Sequence, residues 1–199
     1  MRALVFTAPS EVQLLDVPEP AAGPDDCVVE VRSVGICGSE LHGVRDPGFR
    51  VPPLIMGHEF DGVADSGDAV IVNPVVSCRN CDLCRRETRQ LCRERAIVGI
   101  ARSGAFAERA AVPRSALRAM PASMDWDTAA MAEPAASAVH AWAAGGGDGQ
   151  GLVRAEKRVV GSFAYTDENF DQAIELLGEW DLSWASAFPL ADGAEVSPA

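Results

Sequence analysis

Short runs of β-branched and other apolar residues, separated by turns with proline or glycine, dominate the first part of the chain. They occupy residues 3–6, 12–17, 27–34, 68–72 and 106–112. Within the third run, the apolar residues Val29 and Val31 recur at every second position, with Glu30 and Arg32 alternating. This period is typical of a strand with one buried face. Several short strands with turns between them predict a small barrel or sandwich.

The pattern becomes helical after Pro121. Asp125 is a predicted N-cap for a first helical turn that runs toward Met131, and Pro134 suits the start of a second helix over 134–144. Residues 158–163 are typical of a further strand. A last helix is predicted over 167–180, with Asp167 as its N-cap. Its apolar residues at helical spacing are Phe170, Ala173, Ile174 and Leu177.

Length and charge limit the classes of function. The 199 residues are 48% hydrophobic and include 17 basic against 29 acidic residues, a formal net charge of −12. This composition indicates one globular domain or slightly more. The acidity argues against nucleic acids and anionic membranes as partners, because both need clustered basic residues. No apolar run reaches the roughly 18 residues of a membrane span, and the first apolar run is too short for a secretory signal. We therefore expect a cytoplasmic, reducing location.

The segment from Cys78 to Cys92 is polar and charged, and it carries four cysteines in place of apolar periodicity. Cys81 and Cys84 each follow the previous cysteine by three positions, and Cys92 comes eight positions later. Gaps of two residues let neighbouring thiolates converge on one tetrahedral ion, so this lobe predicts a closed, structural Zn(Cys)₄ site. The ion would replace a hydrophobic core, because metal binding and folding are coupled in small zinc modules.

Two disulfides or unligated thiols are the alternative for these four cysteines. A reducing compartment disfavours disulfides. An iron–sulfur cluster also takes four cysteines, but with different usual spacings.

A second set of metal-binding residue types is spread along the chain. Cys37 lies between glycines after a strand, His58 and Glu59 follow Gly57, and Glu133 lies at the break between two predicted helices. Each alone fits a structural role. Together, Cys37, His58 and Glu133 offer one sulfur, one nitrogen and one oxygen, which is the mixed three-ligand set of an open zinc site. Glu59 would either orient this site from outside the ligand set or bind the metal itself.

These motifs resemble those of the zinc-dependent medium-chain alcohol dehydrogenases, especially the polyol and threonine dehydrogenase branch. The matching pieces are Cys37-Gly38-Ser39, Gly57-His58-Glu59, the four cysteines of the lobe and Glu133-Pro134. The similarity is nearly continuous over 1–144 and looser over 151–190. There, Gly161-Ser162-Phe163 and the following helix resemble the return of the chain into the family's catalytic domain.

The resemblance implies a mainly β fold with helices (α+β), a GroES-like, partly open β-barrel with a zinc lobe. The expected organisation is a catalytic domain over 1–144 with the structural zinc lobe at 78–92, a glycine-rich connector at 145–151, a strand–helix return at 152–190 and a loose tail at 191–199.

The resemblance also implies two Zn²⁺ ions per chain. Cys78, Cys81, Cys84 and Cys92 would bind the structural ion. Cys37, His58 and Glu133 would bind the catalytic ion, with Glu59 as a nearby or alternate ligand. A small molecule with a hydroxyl or carbonyl group would be the substrate, polarised by the metal.

A proton relay is part of the same expectation. Ser39 would pass the substrate proton, and His42 would continue the relay toward solvent. A helix N-cap is the alternative for Ser39, and an exposed helix residue is the alternative for His42.

Four other residues have simpler interpretations. Cys27 is expected to be a buried thiol, and His140 a structural residue of the second helix. Trp126 and Trp142 would either line a substrate pocket or pack in the core.

The family's nucleotide-binding domain has no counterpart between the two matching segments. Only the glycine tract 145–151 lies there, and Gln150 and Arg154 occupy the positions that a G-x-G-x-x-G motif would need as glycine. We therefore expect no doubly wound nucleotide-binding domain and no stable NAD(P) binding. The catalytic cleft would be more open, so a homo-oligomer or a separate partner chain is expected to cover it.

Three functions remain open on the sequence. The favoured one is a zinc enzyme that activates a hydroxyl or carbonyl group without its own NAD(P). The second is an oxidoreductase subunit or remnant whose NAD(P) is held by a separate chain. The third is a non-catalytic, zinc-stabilised binding protein.

Overall fold

The computed structural model describes residues 1–46, 48, 50–144 and 162–182, with the isolated positions 185, 189, 190 and 193. The predicted connector at 145–151, residues 158–161 of the predicted strand and almost all of the predicted tail at 191–199 lie outside the described residues. The described part is mainly β with several helices, as expected.

The described part of the chain contains ten strands and five helices. The strands are β1 (Arg2–Ala8), β2 (Glu11–Asp16), β3 (Asp26–Gly35), β4 (Leu54–Ile55), β5 (Glu59–Ala64), β6 (Ala69–Val72), β7 (Val75–Val76), β8 (Ala96–Ile97), β9 (Arg109–Pro113) and β10 (Leu117–Ala119). The helices are α1 (Gly38–Arg45), α2 (Asp82–Arg85), α3 (Trp126–Ala130), α4 (Ala132–Ala144) and α5 (Asp167–Leu177), with 3₁₀ turns at Arg89–Leu91 and Arg114–Ala116. None of these five helices has the length and apolar character that a bilayer span requires.

The largest sheet is a curled half-barrel with the strand order β10-β6-β5-β3-β9. Its ladders are all antiparallel, and β3 pairs with β5 on one side and β9 on the other. The β3–β5 register shifts between Val31 and Val34, which bends the strand and helps the sheet to curl. Separate sheets of order β2-β1-β4 and β7-β8 complete the β structure of the described part. The predicted partly open barrel is confirmed.

The described chain has four apolar clusters, and the two largest lie inside the half-barrel and between the helices. Inside the half-barrel, the apolar faces of β3, β5, β6 and β9 meet, with Val29, Phe60, Val72 and Val112 almost fully buried. The second cluster lies between α3, α4 and α5. The four apolar residues predicted for the last helix, Phe170, Ala173, Ile174 and Leu177, are all buried in it.

The starts of α3 and α4, the first two helices that the sequence predicts, partly confirm the pattern. Asp125 is the N-cap of α3, and its Oδ1 accepts the N–H of Thr128 at 2.8 Å. Helix α4 begins at Ala132, earlier than the predicted start at Pro134, so Pro134 lies in the first turn, where its missing N–H costs no helical hydrogen bond.

The predicted N-cap of the last helix is wrong by one residue. Thr166 caps α5, because its Oγ1 accepts the N–H of Asn169 at 3.1 Å while Asn169 Oδ1 accepts the Thr166 N–H at 3.3 Å. The helix ends at Leu177, before Gly178, rather than at Trp180.

Asp167 instead connects the start of α5 to neighbouring segments. Its carboxylate accepts hydrogen bonds from Arg89 of the cysteine lobe, from Asn73 Nδ2 at 3.2 Å and from Arg118 Nη2 at 3.3 Å. The guanidinium of Arg95, three residues after the lobe, lies 4.6 Å from the ring centre of Phe163. The lobe therefore holds the segment that carries α5.

Asp61 is a buried carboxylate inside the largest sheet. It is fully buried in β5, where Oδ1 accepts the Ser33 N–H at 3.1 Å and Oδ2 has no hydrogen-bond partner among the described residues. Burial is the main cause that raises the pKa of Asp61 to about 8. The Ser33 N–H opposes this shift, and the carboxylates of Asp127 and Asp125 add to it. A charged Asp61 carboxylate therefore destabilises the folded state.

We expect Asp61→Asn to stabilise the protein, by about 1–3 kcal/mol at pH 8, because an amide carries no charge into the core. The unfolded aspartate titrates near 3.8, whereas the folded group keeps its proton to about 8. Wild-type stability must therefore fall as pH rises between these values, and the advantage of the variant must grow over the same window. Urea unfolding at pH 5 and pH 8 measures this. The exposed Asp16→Asn is the control, and a pH-independent difference between Asp61→Asn and wild type would contradict the expectation.

Candidate metal centres

The four cysteines of the lobe converge. Cys81 is the N-cap of α2 and Cys84 lies within that helix, while Cys92 follows the 3₁₀ turn Arg89–Leu91. The four sulfurs all lie within 4.8 Å of one another. Backbone N–H groups point at two of them, with Cys84 N at 3.5 Å from Cys81 Sγ and Cys78 N at 3.3 Å from Cys92 Sγ.

The sulfur spacing fits a tetrahedral ion. The distances are 3.5 Å for Cys78–Cys92, 3.9 Å for Cys78–Cys84 and 3.9 Å for Cys81–Cys92. Four sulfurs at about 2.3 Å from a central zinc would lie about 3.8 Å apart. Backbone hydrogen bonds from Arg93 and Cys84 lower the pKa of Cys81 to about 6, whereas burial raises the pKa of Cys84 to about 11. The donor set suits Zn²⁺.

The second centre is assembled by strand pairing. In the β3–β5 ladder, Gly35 at the end of β3 pairs with Glu59 at the start of β5. Cys37, two residues beyond Gly35, and His58, just before Glu59, therefore lie at the same edge of the sheet. A Cβ atom on Gly35 would lie 2.3 Å from Glu59 Oε2, so only glycine leaves room for that carboxylate.

Cys37 is also the N-cap of α1. Its Sγ accepts the N–H of Ser39 at 3.5 Å, and its own N–H donates to Glu40 Oε2 at 3.0 Å. A cap position places the Cys37 sulfur at the N-terminus of α1, at the sheet edge where the other ligand atoms lie.

Glu40 joins the two segments of the centre. This residue is 1% exposed, and its Oε1 accepts the N–H of Gly57 at 2.6 Å and lies 3.1 Å from His58 Nδ1. A carboxylate on one ring nitrogen orients the imidazole and leaves the other nitrogen for a metal.

Gly57 permits the turn that presents His58. Its φ of +94° is in the left-handed region, and a Cβ there would lie 2.8 Å from the backbone nitrogen of Phe106. The carbonyl of Gly57 accepts the N–H of Ala105 at 3.0 Å. The backbone beside His58 is therefore held on both sides.

Three ligand atoms meet at this edge. One ligand atom each from Cys37, His58 and Glu59 lies within 4.8 Å of the other two. Burial alone would lower the pKa of His58, but the neighbouring Cys37 thiol and Glu40 carboxylate outweigh it and raise the pKa to about 10. Burial, followed by the charge of Glu133, raises the pKa of Glu59 to about 7. The cluster is thus a closely coupled sulfur, nitrogen and oxygen set.

Glu133 lies beside this cluster. It is half-buried in the first turn of α4, and among the described residues the compact metal-binding group contains Glu59 rather than Glu133. Burial raises the pKa of Glu133, and the nearby His58 and Tyr165 lower it. Glu133, on α4, is therefore close enough to the second centre for its charge to raise the pKa values of His58 and Glu59.

The residues of the predicted relay are both exposed on α1. Ser39 lies next to Cys37, and its Oγ accepts a hydrogen bond from Arg50 Nη2 at 3.3 Å. His42 lies one turn further along, outside the compact group.

The other sequence candidates have clear positions. Cys27 is fully buried in β3, and burial raises the pKa of its thiol. His140 Nδ1 lies 2.8 Å from Asn169 Oδ1, so it links α4 to α5. Trp126 is half-buried, whereas Trp142 is 57% exposed and lines an open cavity of about 680 Å³ with Trp180.

Known proteins share this architecture. The family model described as the alcohol dehydrogenase GroES-like domain matches residues 23–122. The chain belongs to this family. The predicted relation of this GroES-like chain to the medium-chain alcohol and polyol dehydrogenases is confirmed.

Individual relatives of the GroES-like chain are dehydrogenases. L-threonine 3-dehydrogenase of Streptomyces avermitilis is 38% identical over 156 residues, which is 70% of this chain and 45% of that relative. The structure of galactitol-1-phosphate dehydrogenase from Escherichia coli matches with a TM-score of 0.70 and 29% identity, over 73% of this chain and 45% of that chain.

A thermostable alcohol dehydrogenase from Pyrobaculum aerophilum, in a structure with cobalt and zinc bound, matches with a TM-score of 0.66 and 27% identity, over 72% of this chain and 48% of that chain. The GroES-like chain spans somewhat less than half the length of the relatives it matches.

Sequence reasoning missed two residues that the GroES-like fold brings to the second centre. Glu40 follows Cys37 by three positions, and the capping-box spacing was a signal for its inward direction. Tyr165 is the single tyrosine of the chain and lies near Glu133. No local pattern links residues so far apart.

We expect Glu40→Gln to destabilise the GroES-like chain by about 1–3 kcal/mol, because the amide NH₂ would face a backbone N–H that now has an acceptor. Thermal or urea unfolding measures the loss. Glu30→Gln is the matched control, since Glu30 is exposed on β3. Equal stability of the Glu40→Gln and Glu30→Gln variants would show that the carboxylate does not join the two segments.

Proposed function

We propose that the chain binds two Zn²⁺ ions and that the second centre acts on a hydroxyl or carbonyl group of a small molecule. The observation that carries this proposal is the meeting of Cys37, His58 and Glu59 ligand atoms within 4.8 Å of one another. A mixed sulfur, nitrogen and oxygen set with three protein ligands is typical of catalytic rather than structural zinc.

The lobe would hold the structural ion. Its four sulfurs satisfy a tetrahedral zinc completely and leave no position for a substrate. Through Arg89 and Asp167, an ordered lobe also keeps α5 in place. Because metal ligation by cysteine needs free thiols, we retain the prediction of a cytoplasmic location.

Zinc in the second centre would supply Lewis-acid polarisation of a substrate oxygen. The chain's own residues would prepare that chemistry. Glu40 orients His58, Glu59 serves as the third ligand, and Glu133 faces the centre as a further carboxylate that binds the metal or accepts a proton. Ser39, exposed beside Cys37, would receive the substrate proton, and His42 would pass it to solvent.

The substrate class follows from the family. Relatives named L-threonine 3-dehydrogenase and galactitol-1-phosphate dehydrogenase support a small molecule with a hydroxyl or carbonyl group. Nucleic acids and membranes remain excluded as partners in this proposal, on the charge of −12. Residues 1–144 would form the catalytic domain, 145–151 a connector and 152–190 the return, with no NAD(P) held by this chain.

Hydride transfer with NAD(P) on a separate chain is the second candidate function. The open cavity between α4 and α5 favours it, because Trp142 and Trp180 are 57% and 46% exposed there. Large exposed aromatic residues on adjacent helices suit a covering partner or a second copy of this chain.

Metal analysis of purified variants tests the two sites. We expect two zinc ions per chain in the wild type and one in Cys37→Ser and Cys84→Ser, since each substitution removes a ligand from a different cluster. Cys84→Ser should also lower the melting temperature more, because the lobe lacks an apolar core. Cys27→Ala, which removes a thiol outside both clusters, is the control. One zinc in the wild type, lost only in Cys84→Ser, would contradict the catalytic centre.

A nucleotide titration on the same zinc-loaded sample tests whether this chain holds NAD(P) by itself, which neither candidate function requires. We expect no saturable heat of binding with NAD or NADP. Saturable binding, together with NAD(P)H formation from small alcohols, would instead establish an autonomous dehydrogenase. If the wild type binds two zinc ions and Glu59→Ala leaves the function in the host unchanged, the non-catalytic binding protein would be favoured.

A further inference from the structure

Tyr165 brings a phenol hydroxyl into an apolar interior. The residue is 2% exposed and belongs to the cluster between α3, α4 and α5, where its ring centre lies 5.6 Å from that of Phe170. Ala132 and Ala136 of α4, which flank Glu133 along the helix, belong to the same cluster. A ring that only filled space here would not need an oxygen atom, and phenylalanine would serve.

The hydroxyl lacks an ordinary partner. Its oxygen is buried and makes no well-formed hydrogen bond with any residue in the described part of the chain. Buried tyrosine hydroxyls almost always find a partner, because burial without one is costly. An acceptor in the immediate surroundings is therefore required.

Glu133 is the acceptor that the surroundings offer. Burial and the charge of Glu133 raise the pKa of Tyr165 well above its usual value, and Tyr165 in turn acts to lower the pKa of Glu133. The two groups are thus close enough to interact directly.

We propose that Tyr165 is a positioning residue, which donates a hydrogen bond from its hydroxyl to the Glu133 carboxylate and holds that group facing Cys37, His58 and Glu59. This inference rests on the proposed metal-binding role of the second centre. The hydrogen bond itself does not depend on a metal, so it can be tested separately.

Tyr165 also belongs to the segment that the cysteine lobe holds in place. It lies next to Thr166, the N-cap of α5, and two residues before Asp167, which Arg89 of the lobe, Asn73 and Arg118 hold. The second centre thus receives one of its supports from the returning segment, and that segment is held in turn by the lobe.

Raman spectroscopy tests the hydrogen bond directly, because the chain has one tyrosine. The intensity ratio of the tyrosine doublet reports whether the phenol hydroxyl donates a hydrogen bond. We expect a donor ratio in the metal-free wild type and its loss in Glu133→Leu, which replaces the carboxylate with an apolar side chain of similar size. The exposed Glu30→Leu is the control. An unchanged ratio in Glu133→Leu would overturn the proposed hydrogen bond.

Cobalt binding tests the effect on the second centre. Protein whose lobe is filled with zinc is titrated with Co²⁺, and the visible absorption of the cobalt ion gives the affinity. We expect Tyr165→Phe to weaken Co²⁺ binding about tenfold, as substitutions just outside a ligand set do, and to have no effect in a Glu133→Leu background, which lacks the acceptor. Phe170→Leu is the packing control, since it lowers the melting temperature without removing a hydroxyl.

The possible results separate the two claims. Equal weakening by Tyr165→Phe in both backgrounds, or by Phe170→Leu as much as by Tyr165→Phe, would overturn the positioning role. Failure of the wild type to bind Co²⁺ outside the lobe would overturn the proposed function and the metal-directed part of this inference, whereas the Raman result would still decide the hydrogen bond.

Discussion

One buried carboxylate, that of Glu40, is the constraint on which the second centre depends. The pairing of β3 with β5 brings two segments to one edge of the sheet, and Glu40 sets their separation by accepting the N–H groups of Cys37 and Gly57. The same carboxylate faces His58. The protein therefore holds three dissimilar ligand side chains together through its own backbone and one acid, which is the kind of preorganisation that a catalytic metal site needs.

The cysteine lobe and the segment that carries α5 form a second, linked support. The polar lobe contacts the segment carrying α5 through Arg89 with Asp167, and Arg95, just after the lobe, adds a contact with Phe163. That segment packs against α4, where Glu133 lies. Order in the polar lobe can thus influence the Glu133 carboxylate on α4. The two clusters are separate in chemistry but linked in stability.

Local patterns predicted much of this arrangement. The cysteine spacing indicated the lobe, the period of two indicated β3, and the period of 3.6 indicated α5, because each depends on residues close in sequence. Strand β5 was missed because Glu59 and Asp61 interrupt its apolar pattern, although both are buried. The choice between Glu59 and Glu133 depends on the β3–β5 register, which no local spacing encodes. Glu40 and Tyr165 act through contacts that only the folded chain creates.

The turn at Gly57 has a consequence for motion. The Gly57 N–H donates a hydrogen bond to Glu40, and the Gly57 carbonyl accepts the N–H of Ala105. A Cβ atom on Gly99 or Gly104 would lie within 2.6 Å of that carbonyl oxygen. Binding loops usually open by local fluctuation, and their amide hydrogens exchange quickly with solvent. Here the backbone has no room for such fluctuation. Deuterium should enter the Gly57 amide only when the whole barrel opens, so this loop belongs to the slowest-exchanging part of the molecule.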